Sequence, residues 1–239
     1  MRITQDIIQL QGHRYALLLF GITLILLLAS RSSVVMGDLS NPNVYPTNSA
    51  PYNIPYKQWA EKWWQWDLAV PTKQHPRENY TPANCASGQH GPVWFLADSL
   101  SGTEQRTCTI PAGKSILVGV LTAECDRADQ TLHTDQDLRQ CATEGNDYGV
   151  IGATLDGVKI QNLGQSRIHS GFYNEIIPSD NIFKEKPGTY RAFTNGYFVF
   201  LKTLPAGKHD LRLTVSVTNP IKPQYNYAAD WTYHLLTNG

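Results

Sequence analysis

The chain has 239 residues, and its twenty basic and twenty acidic side chains give a formal net charge of +0. A neutral composition argues against a nucleic-acid-binding protein, because such a protein needs a basic surface to displace counterions from phosphate. Without its apolar N-terminal segment the chain retains roughly 200 residues, which is compatible with one β domain or two small ones.

An uncharged apolar run, YALLLFGITLILLLAS, occupies residues 15–30. At about 1.5 Å per residue its length lies between that of a signal-peptide core and that of a short membrane span. Arg2 and Arg14 precede the run, and their charge favours a cytoplasmic N-terminus with export of everything after Arg31. We therefore predict an N-terminal hydrophobic helix, acting as signal peptide or membrane anchor, over residues 1–37. The rest of the chain is expected to be extracytoplasmic, either membrane-anchored or secreted.

All four cysteines lie in the part that we expect to be exported, where disulfides persist. Three pairings are possible. We favour the sequential one, Cys85 with Cys108 and Cys125 with Cys141, because each bond closes a short loop and would contribute about 3 kcal/mol by restricting the unfolded chain. A metal site is the alternative, but no C-x-x-C or paired-histidine spacing favours it, and no motif indicates a cofactor.

Two stretches are predicted to be irregular and exposed. Residues 38–55 are rich in Pro, Asn and Ser and lack periodicity, which is typical of an extended linker. The sequence Asn79-Tyr80-Thr81 is a glycosylation sequon, and in an exported protein its use would require Asn79 to lie at the surface.

Residues 56–70, YKQWAEKWWQWDLAV, are predicted to form an amphipathic helix that ends before Pro71. Charged residues occupy the face opposite the aromatic one, which favours packing of the aromatic face onto the domain over a platform for a polymer or a membrane. Trp64 lies off the main stripe and is the candidate for an exposed, ligand-binding ring. The stripe itself comprises Tyr56, Trp59, Trp63, Trp66 and Val70.

Short β-type runs account for most of the predicted domain, residues 56–239. The alternation in residues 209–218 indicates a strand with one buried face and one wet face, as in an antiparallel sheet. Asp156-Gly157 between two such runs is a strong hairpin signal. The motif Pro-Ala-Gly-Lys occurs at 111–114 and at 205–208, each time between two β-rich runs. We predict a mainly β fold, an antiparallel β-sandwich or jelly-roll-like domain with one amphipathic Trp-rich helix.

Five sequence blocks of the exported part occur in a defined order: WAEKWWQWDLAVP, CASGQHGPVWFLA, TCTIPAGKSILVGVLTAEC, NGYFVFLKTLPAGKHDLRL and DWTYHLL. They resemble the successive blocks of a family of uncharacterised secreted or membrane-anchored prokaryotic proteins, with a W-W-Q-W helix, a G-P-V-W-F-L-A strand, a C-x-V-P-A-G-K turn and a late L-P-x-G-x-H hairpin. The chain departs from this pattern where SILVGVL replaces a more aromatic, proline-containing run. The resemblance implies an exported single domain and assigns no activity.

Carboxylates are concentrated between residues 124 and 149, close to His133. They could form a calcium or catalytic site, but the spacing matches no calcium loop, so a solvent-exposed loop region is favoured. No G-x-S-x-G, H-E-x-x-H, phosphate-loop or dinucleotide motif is present, and His209 and His234 are predicted to be structural.

Three functions remain open, and an enzyme is the less favoured class. The leading one is a non-catalytic exported binding module for a cell-surface polymer or an envelope protein, contacting it through aromatic and loop residues. The second is an extracellular hydrolase of polysaccharide or peptide, and the third is a structural envelope component. The hydrolase would draw its acid and base from Glu124, Asp126, Asp135, Glu144 and Glu175.

Overall fold

The structure is a computed structural model, and it describes residues 41–99 and 101–238. The hydrophobic helix predicted in residues 1–37 lies outside the described residues. Within the described ranges, neither helix combines the length and the hydropathy that a membrane span requires.

Two sheets and two α-helices make up the described part of the chain, which confirms the mainly β prediction. One sheet has four strands in the order β1-β3-β7-β6, and the other has five in the order β2-β9-β8-β4-β5. The helices are α1 (Tyr56–Ala69) and α2 (Asp135–Glu144). The strands are β1 (Val93–Leu96), β2 (Gly102–Ile110), β3 (Ser115–Asp126), β4 (Gly149–Leu155), β5 (Val158–Lys159), β6 (Arg167–Ile177), β7 (Gly188–Leu201), β8 (Gly207–Val217) and β9 (Tyr227–Thr237).

Most neighbouring strands are antiparallel, as predicted, but each sheet also contains one parallel pair at its edge. β1 runs parallel to β3, and β2 runs parallel to β9. The hairpin predicted at Asp156-Gly157 joins antiparallel β4 and β5, and both turn residues have positive φ values, 52° and 77°. The two Pro-Ala-Gly-Lys turns are not hairpins, because each carries the chain from one sheet to the other, from β2 to β3 and from β7 to β8.

The two sheets pack face to face and share a hydrophobic core. Alternate residues of β8, including Leu211 and Leu213, are fully buried against residues of β3 such as Ile116 and Val118. This alternation follows from the two-residue period of a strand, which places successive side chains on opposite faces. The domain is therefore built from two sheets that share one hydrophobic core.

Helix α1 packs on the outer face of the four-stranded sheet. Trp63 is fully buried there, and its indole Nε1 donates a 2.9 Å hydrogen bond to the carbonyl of Leu96. A Cβ atom on Gly119 of β3 would lie 3.1 Å from the Trp63 ring, so the helix approaches the strand closely at this glycine. The prediction that the aromatic stripe packs onto the sandwich is confirmed.

Residues 43–55 pack onto the same sheet and are part of the domain. Val44 bridges to Leu201, and the backbone N–H of Tyr45 donates a 2.8 Å hydrogen bond to the carbonyl of Phe200. Pro51 is buried and its carbonyl accepts from Trp59 Nε1. The free extended linker predicted for residues 38–55 is thus not observed from residue 43 onward, because apolar residues among the prolines give it a docking face.

Both predicted disulfides are present, with the sequential pairing. Cys85 bonds to Cys108 and anchors the loop before β1 to β2, with 5.8 Å between the Cα atoms. Cys125 bonds to Cys141 and fastens α2 to β3, with 6.1 Å between the Cα atoms. Disulfides of this kind persist in oxidising compartments, so they indicate an extracytoplasmic location.

Candidate functional site

Four carboxylic side chains on β3, on β6 and in the loop after β6 lie near enough for their charges to act on one another. We call this group, Glu124, Asp126, Glu175 and Glu185, the acidic site. Glu124 and Asp126 lie at the end of β3, Glu175 lies on β6, and Glu185 lies in the loop between β6 and β7. The charge of Asp126 raises the pKa values of Glu124, Glu175 and Glu185. The charges of Glu175 and Glu185 also raise the pKa of Glu124.

Strand geometry explains why the sequence brings these residues together. A register irregularity follows Gly119, so that Leu121 joins the core between the sheets while Thr122 and Glu124 point to the opposite, α1 side. Glu124 pairs in register with Thr194 of the central strand β7. On the far side of β7, the hydroxyl of Tyr173 lies 2.7 Å from the Thr194 hydroxyl, which places β6 side chains on the same face.

The carboxyl groups of the acidic site are buried to different extents. Glu175 is 0% exposed and Asp126 is 4% exposed, whereas Glu124 and Glu185 keep part of their surface. One oxygen of Glu175 accepts from the backbone N–H of Ile176 at 3.0 Å, and one oxygen of Asp126 accepts from that of Ala128 at 2.5 Å. Two of the four carboxylic residues are therefore buried and two are partly exposed.

Each of the four carboxyl groups has one buried oxygen atom with no hydrogen-bond partner among the described residues, and so does the hydroxyl of Thr122. These atoms are Glu124 Oε1, Asp126 Oδ2, Glu175 Oε2, Glu185 Oε2 and Thr122 Oγ1. Buried polar atoms in native proteins normally have hydrogen-bond partners, so these oxygens are available to accept hydrogen bonds.

Burial and mutual repulsion raise the pKa values throughout the acidic site. Burial raises the pKa of Glu175 to about 8; the backbone N–H of Ile176 opposes this shift, and the charge of Asp126 adds to it. Burial also raises the pKa of Glu124 well above its usual value, with further contributions from the charges of the other three carboxylates. At neutral pH, Glu175 is therefore mainly protonated.

No cation of the described residues neutralises the acidic site, since none of their ion pairs includes one of its carboxylates. No group of three His, Cys, Asp or Glu side chains in the same ranges is arranged to hold a metal ion. The site can therefore accept hydrogen bonds and positive charge, but it is not a preformed metal cage.

A second buried polar cluster lies at the end of α1 and, unlike the acidic site, contains a cation. The guanidinium of Arg77 contacts Asp67 Oδ2 at 2.9 Å and Asp98 Oδ1 at 2.7 Å. His75 Nδ1 accepts from the backbone N–H of Arg77, and His75 Nε2 donates to the carbonyl of Asp67, which fixes a neutral tautomer. Aromatic rings of Trp63, Trp64 and Phe183 surround the guanidinium.

The structure brings together three of the five carboxylates predicted for a hydrolase, namely Glu124, Asp126 and Glu175. Asp135 lies elsewhere and pairs with Arg191 at 2.7 Å and with Arg127 at 3.0 Å. Glu144 forms an ion pair with Lys222.

Sequence reasoning missed Glu185 and Tyr173 as members or neighbours of the acidic site. The two-residue alternation in the β6 run would have placed Tyr173 and Glu175 on one face. Glu185 carries no such signal, because it lies in an irregular loop.

Trp64 is not the exposed ring that we predicted. Its side chain is 7% exposed, packs edge-on against Trp63 and lies 6.2 Å from the ring of Phe183. The residues after β6 cover the side of α1 that the sequence left free, and this is why the ring is buried.

Asn79 is exposed, as a usable sequon requires. Its use as a glycosylation site stays a prediction.

The two late histidines make hydrogen bonds on the surface of the five-stranded sheet. His234 bridges Asp210 and Gln105 at 2.7 and 2.8 Å. His209 lies between Asp156 and the carbonyl of Pro205. Both ring nitrogens of each histidine have hydrogen-bond partners, and the structural role of the two residues stays a prediction.

No protein-family model matches the chain, and no curated protein matches it. Two solved structures are similar to it. One is PbICP-C in complex with falcipain-2, at 10% identity and a TM-score of 0.25, covering 62% of this chain and 100% of that one. The other is the cysteine protease inhibitor EhICP2 from Entamoeba histolytica, at 10% identity and a TM-score of 0.22, covering 61% of this chain and 95% of that one. Similarity this weak establishes no function.

Proposed function

We propose that the chain is an exported β-sandwich binding protein whose acidic site receives a positively charged group of its ligand. The observation that carries this proposal is the set of buried carboxyl oxygens that lack any partner among the described residues. An uncompensated buried charge costs several kcal/mol, so a site of this kind is stabilised either by protons or by a cation from outside.

The ligand that we propose is a cell-surface polymer or an envelope protein bearing cationic groups. The two disulfides support a place outside the cytoplasm, where such partners occur. The N-terminal hydrophobic segment is proposed to direct export or to anchor the protein, and the ordered sequence blocks support membership of the uncharacterised exported family that they resemble. Contact through an exposed Trp64 is not retained, because its ring is buried.

Calorimetric titration of the purified full-length protein with cationic oligomers tests the proposal. The probes are tetralysine, tetra-arginine and a glucosamine tetramer, with the neutral N-acetylglucosamine tetramer as the uncharged control. We expect at least one cationic probe to bind and the neutral one not to bind. Replacing Glu124 and Glu175 together by Gln should weaken binding at least about 10-fold, since charge-assisted hydrogen bonds are lost. Binding that is unchanged in this variant, or absent for every cationic probe, contradicts the proposal.

A hydrolase is the second candidate, and one observation favours it. The raised pKa of Glu175, about 8, keeps this carboxyl protonated at neutral pH, as a general acid must be. Its complete burial opposes the same role, because a catalytic acid has to reach the bond that it protonates. Release of reducing ends or amino groups from cell-wall polymers, abolished by Glu175→Gln, would establish the hydrolase instead.

A further inference from the structure

The imidazole ring of His209 lies between two oxygen atoms near the start of β8. Its Nδ1 is 2.8 Å from Asp156 Oδ2, in the turn between β4 and β5. Its Nε2 is 3.0 Å from the carbonyl oxygen of Pro205, in the turn between β7 and β8. A carboxylate and a backbone carbonyl are both acceptors, so each ring nitrogen must donate a hydrogen. Both nitrogens can donate at the same time only when the ring is an imidazolium cation.

Two other histidines of the described residues also have partners at both ring nitrogens, but their contacts do not require a charged ring. His75 accepts a hydrogen at Nδ1 from a backbone N–H, which fixes a neutral ring. His234 contacts Gln105, whose side-chain amide can rotate so that it donates instead of accepting. The carbonyl of Pro205 has no such freedom, because it belongs to the backbone. The contacts of His209 therefore select the protonated form.

The two contacts of His209 join different parts of the five-stranded sheet. Asp156 is already bound to β8, because its Oδ1 accepts from the N–H of Asp210 at 2.8 Å and its own N–H donates to the Asp210 carbonyl at 2.8 Å. The Pro205 carbonyl also accepts from the hydroxyl of Thr237, at the end of β9. The hydrogen on Nε2 of His209 is therefore what connects the ring to the β7–β8 turn.

We propose that His209 is a pH-sensitive link that binds the β7–β8 turn when its ring is protonated and releases this turn when the ring loses one proton. The hydrogen that remains on the neutral ring stays on Nδ1, because a hydrogen bond to a carboxylate is charge-assisted. The lone pair of Nε2 then faces the oxygen of Pro205, and this contact is repulsive. The inference concerns the five-stranded sheet and does not depend on the proposed function.

One charged side chain faces the ring directly, and it is the carboxylate of Asp156. Lys208 and Asp210 are the charged neighbours of His209 on β8, and the alternation of the strand directs them to the opposite face of the sheet. On β9, the residue in register with His209 is the uncharged Leu235. The local charge therefore favours a protonated ring.

The balance of these effects can be stated for the pKa of His209. Burial lowers this pKa, but the hydrogen bonds to Asp156 and to the Pro205 carbonyl, together with the charge of Asp156, outweigh burial and raise the pKa above its ordinary value of 6.5. The stabilisation that the link contributes is therefore complete below pH 6.5. It is lost as the pH rises through the raised pKa of His209.

The first Pro-Ala-Gly-Lys turn is a matched control within the same molecule. The residue that follows this tetrapeptide is Ser115 in the first turn and His209 in the second. The hydroxyl of Ser115 lies 2.8 Å from that of Tyr52, and a serine does not change its charge between pH 5 and 8. The variant His209→Ser therefore gives the second turn the residue that follows the first.

NMR spectroscopy of the isotope-labelled full-length protein between pH 5 and 8 tests the inference. Long-range proton–nitrogen correlation spectra of the imidazole rings show whether a ring carries one proton or two. We expect the His209 ring to carry two protons at pH 6, to lose one with a midpoint above pH 6.5, and to keep the other on Nδ1. The backbone amide signals of Ala206 and Gly207 should shift with the same midpoint, whereas those of Ala112 and Gly113 should not.

Two variants separate the link from other effects of pH, with the folding of each checked by circular dichroism. Asp156→Asn should lower the midpoint of the His209 ring by at least about 0.5 pH unit, because the charge that stabilises the imidazolium is removed. His209→Ser should abolish the transition of the Ala206 and Gly207 amides.

Four outcomes would overturn the inference. They are a His209 ring with one proton at pH 6, a ring midpoint that the amides of Ala206 and Gly207 do not follow, an unchanged midpoint in Asp156→Asn, and an amide transition that persists in His209→Ser. None of these measurements involves the acidic site, so the proposed function stands or falls separately.

Discussion

Arg77 is a nearly enclosed cation with two carboxylate partners, whereas Glu175 is an enclosed carboxyl with a single backbone donor and no cation. The two residues therefore respond differently to substitution. Removal of Arg77 leaves buried charges unpaired, while replacement of Glu175 by Gln removes a buried group that titrates. Both effects are measurable as changes in the free energy of unfolding.

Arg77→Met should be strongly destabilising, by about 3–5 kcal/mol, because Asp67 and Asp98 would remain buried without their common partner. Urea denaturation at pH 7 measures this loss. Arg212→Met is the matched control, since Arg212 pairs with Asp230 on the exposed face of the sheet and should contribute far less. Equal losses in the two variants would show that the burial of Arg77 has no energetic consequence.

Glu175→Gln should remove part of the pH dependence of stability. The folded-state pKa of about 8 lies above the ordinary value of 4.5, so the folded state holds a proton that the unfolded state releases in between. The contribution of Glu175 to the free energy of unfolding is therefore highest below pH 4.5. It falls between pH 4.5 and 8, by up to about 1.4 kcal/mol per pH unit for one proton, and is lost above pH 8. In the variant this contribution is absent.

Denaturation at pH 6, 7, 8 and 9 follows the effect, with Glu78→Gln as the control. We expect the variant to lose less stability than the native protein across this range. Parallel pH profiles would contradict the assignment of a raised pKa to Glu175.

The sequence identifies Glu124, Asp126 and Glu175 as candidate site carboxylates, but it does not distinguish them from the other candidates, such as Asp135. These three carboxylates come near one another because β3 and β6 flank the same strand, β7. Strand order depends on contacts between distant parts of the chain. Asp135 looked equally suitable in the sequence, yet it is neutralised by Arg191, which lies 56 positions away. Local patterns fix which face a side chain occupies and leave its neighbours undetermined.

At the scale of elements, α1 was the easiest to predict and also the source of one error. The three- and four-residue spacing of the tryptophans identified the helix and its sheet-facing stripe. The pattern does not reveal a second covering layer, here the loop that carries Phe183, and the ring of Trp64 is buried beneath it. The spacing of apolar residues identifies one buried face of a helix. It does not identify a second buried face, such as the one that carries Trp64.

The contact between α1 and β3 predicts that Gly119→Ala is destabilising. A Cβ at this position would lie 2.9 Å from Thr122 Cγ2 and 3.1 Å from the Trp63 ring, so the helix or the strand would have to shift. Overpacking of this kind costs about 1–3 kcal/mol. Gly164→Ala is the control, because nothing lies within 4 Å of its added Cβ. Thermal denaturation should separate the two variants, and similar midpoints would mean that the contact is looser than described.

At the scale of the whole molecule, the strands could be found in the sequence but their partners could not. The β2 run alternates in a way that predicts a strand, and nothing local indicates that it pairs in parallel with β9. The disulfides were predictable for the opposite reason, because sequential pairing closes short loops.

Each disulfide should stabilise the domain by about 3 kcal/mol in the chain-entropy account. The double substitutions Cys85→Ala with Cys108→Ala, and Cys125→Ala with Cys141→Ala, isolate the two bonds. We expect both variants to unfold at lower urea concentrations than the native protein. A reductant should lower the midpoint of the native protein more than that of either variant, because each variant retains only one disulfide. A native midpoint that does not respond to complete reduction would contradict this account.

The position of β9 between β2 and β8 has a consequence for how the chain is made. Gln105 of β2 and His234 of β9 hydrogen-bond to each other although they lie 129 positions apart. Until the later residues have been synthesised, β2 and β8 each lack a neighbour and present open backbone edges on which other chains can assemble. Premature release from the ribosome or the export machinery should therefore yield aggregates, and a factor that holds the nascent polypeptide unfolded would raise the yield.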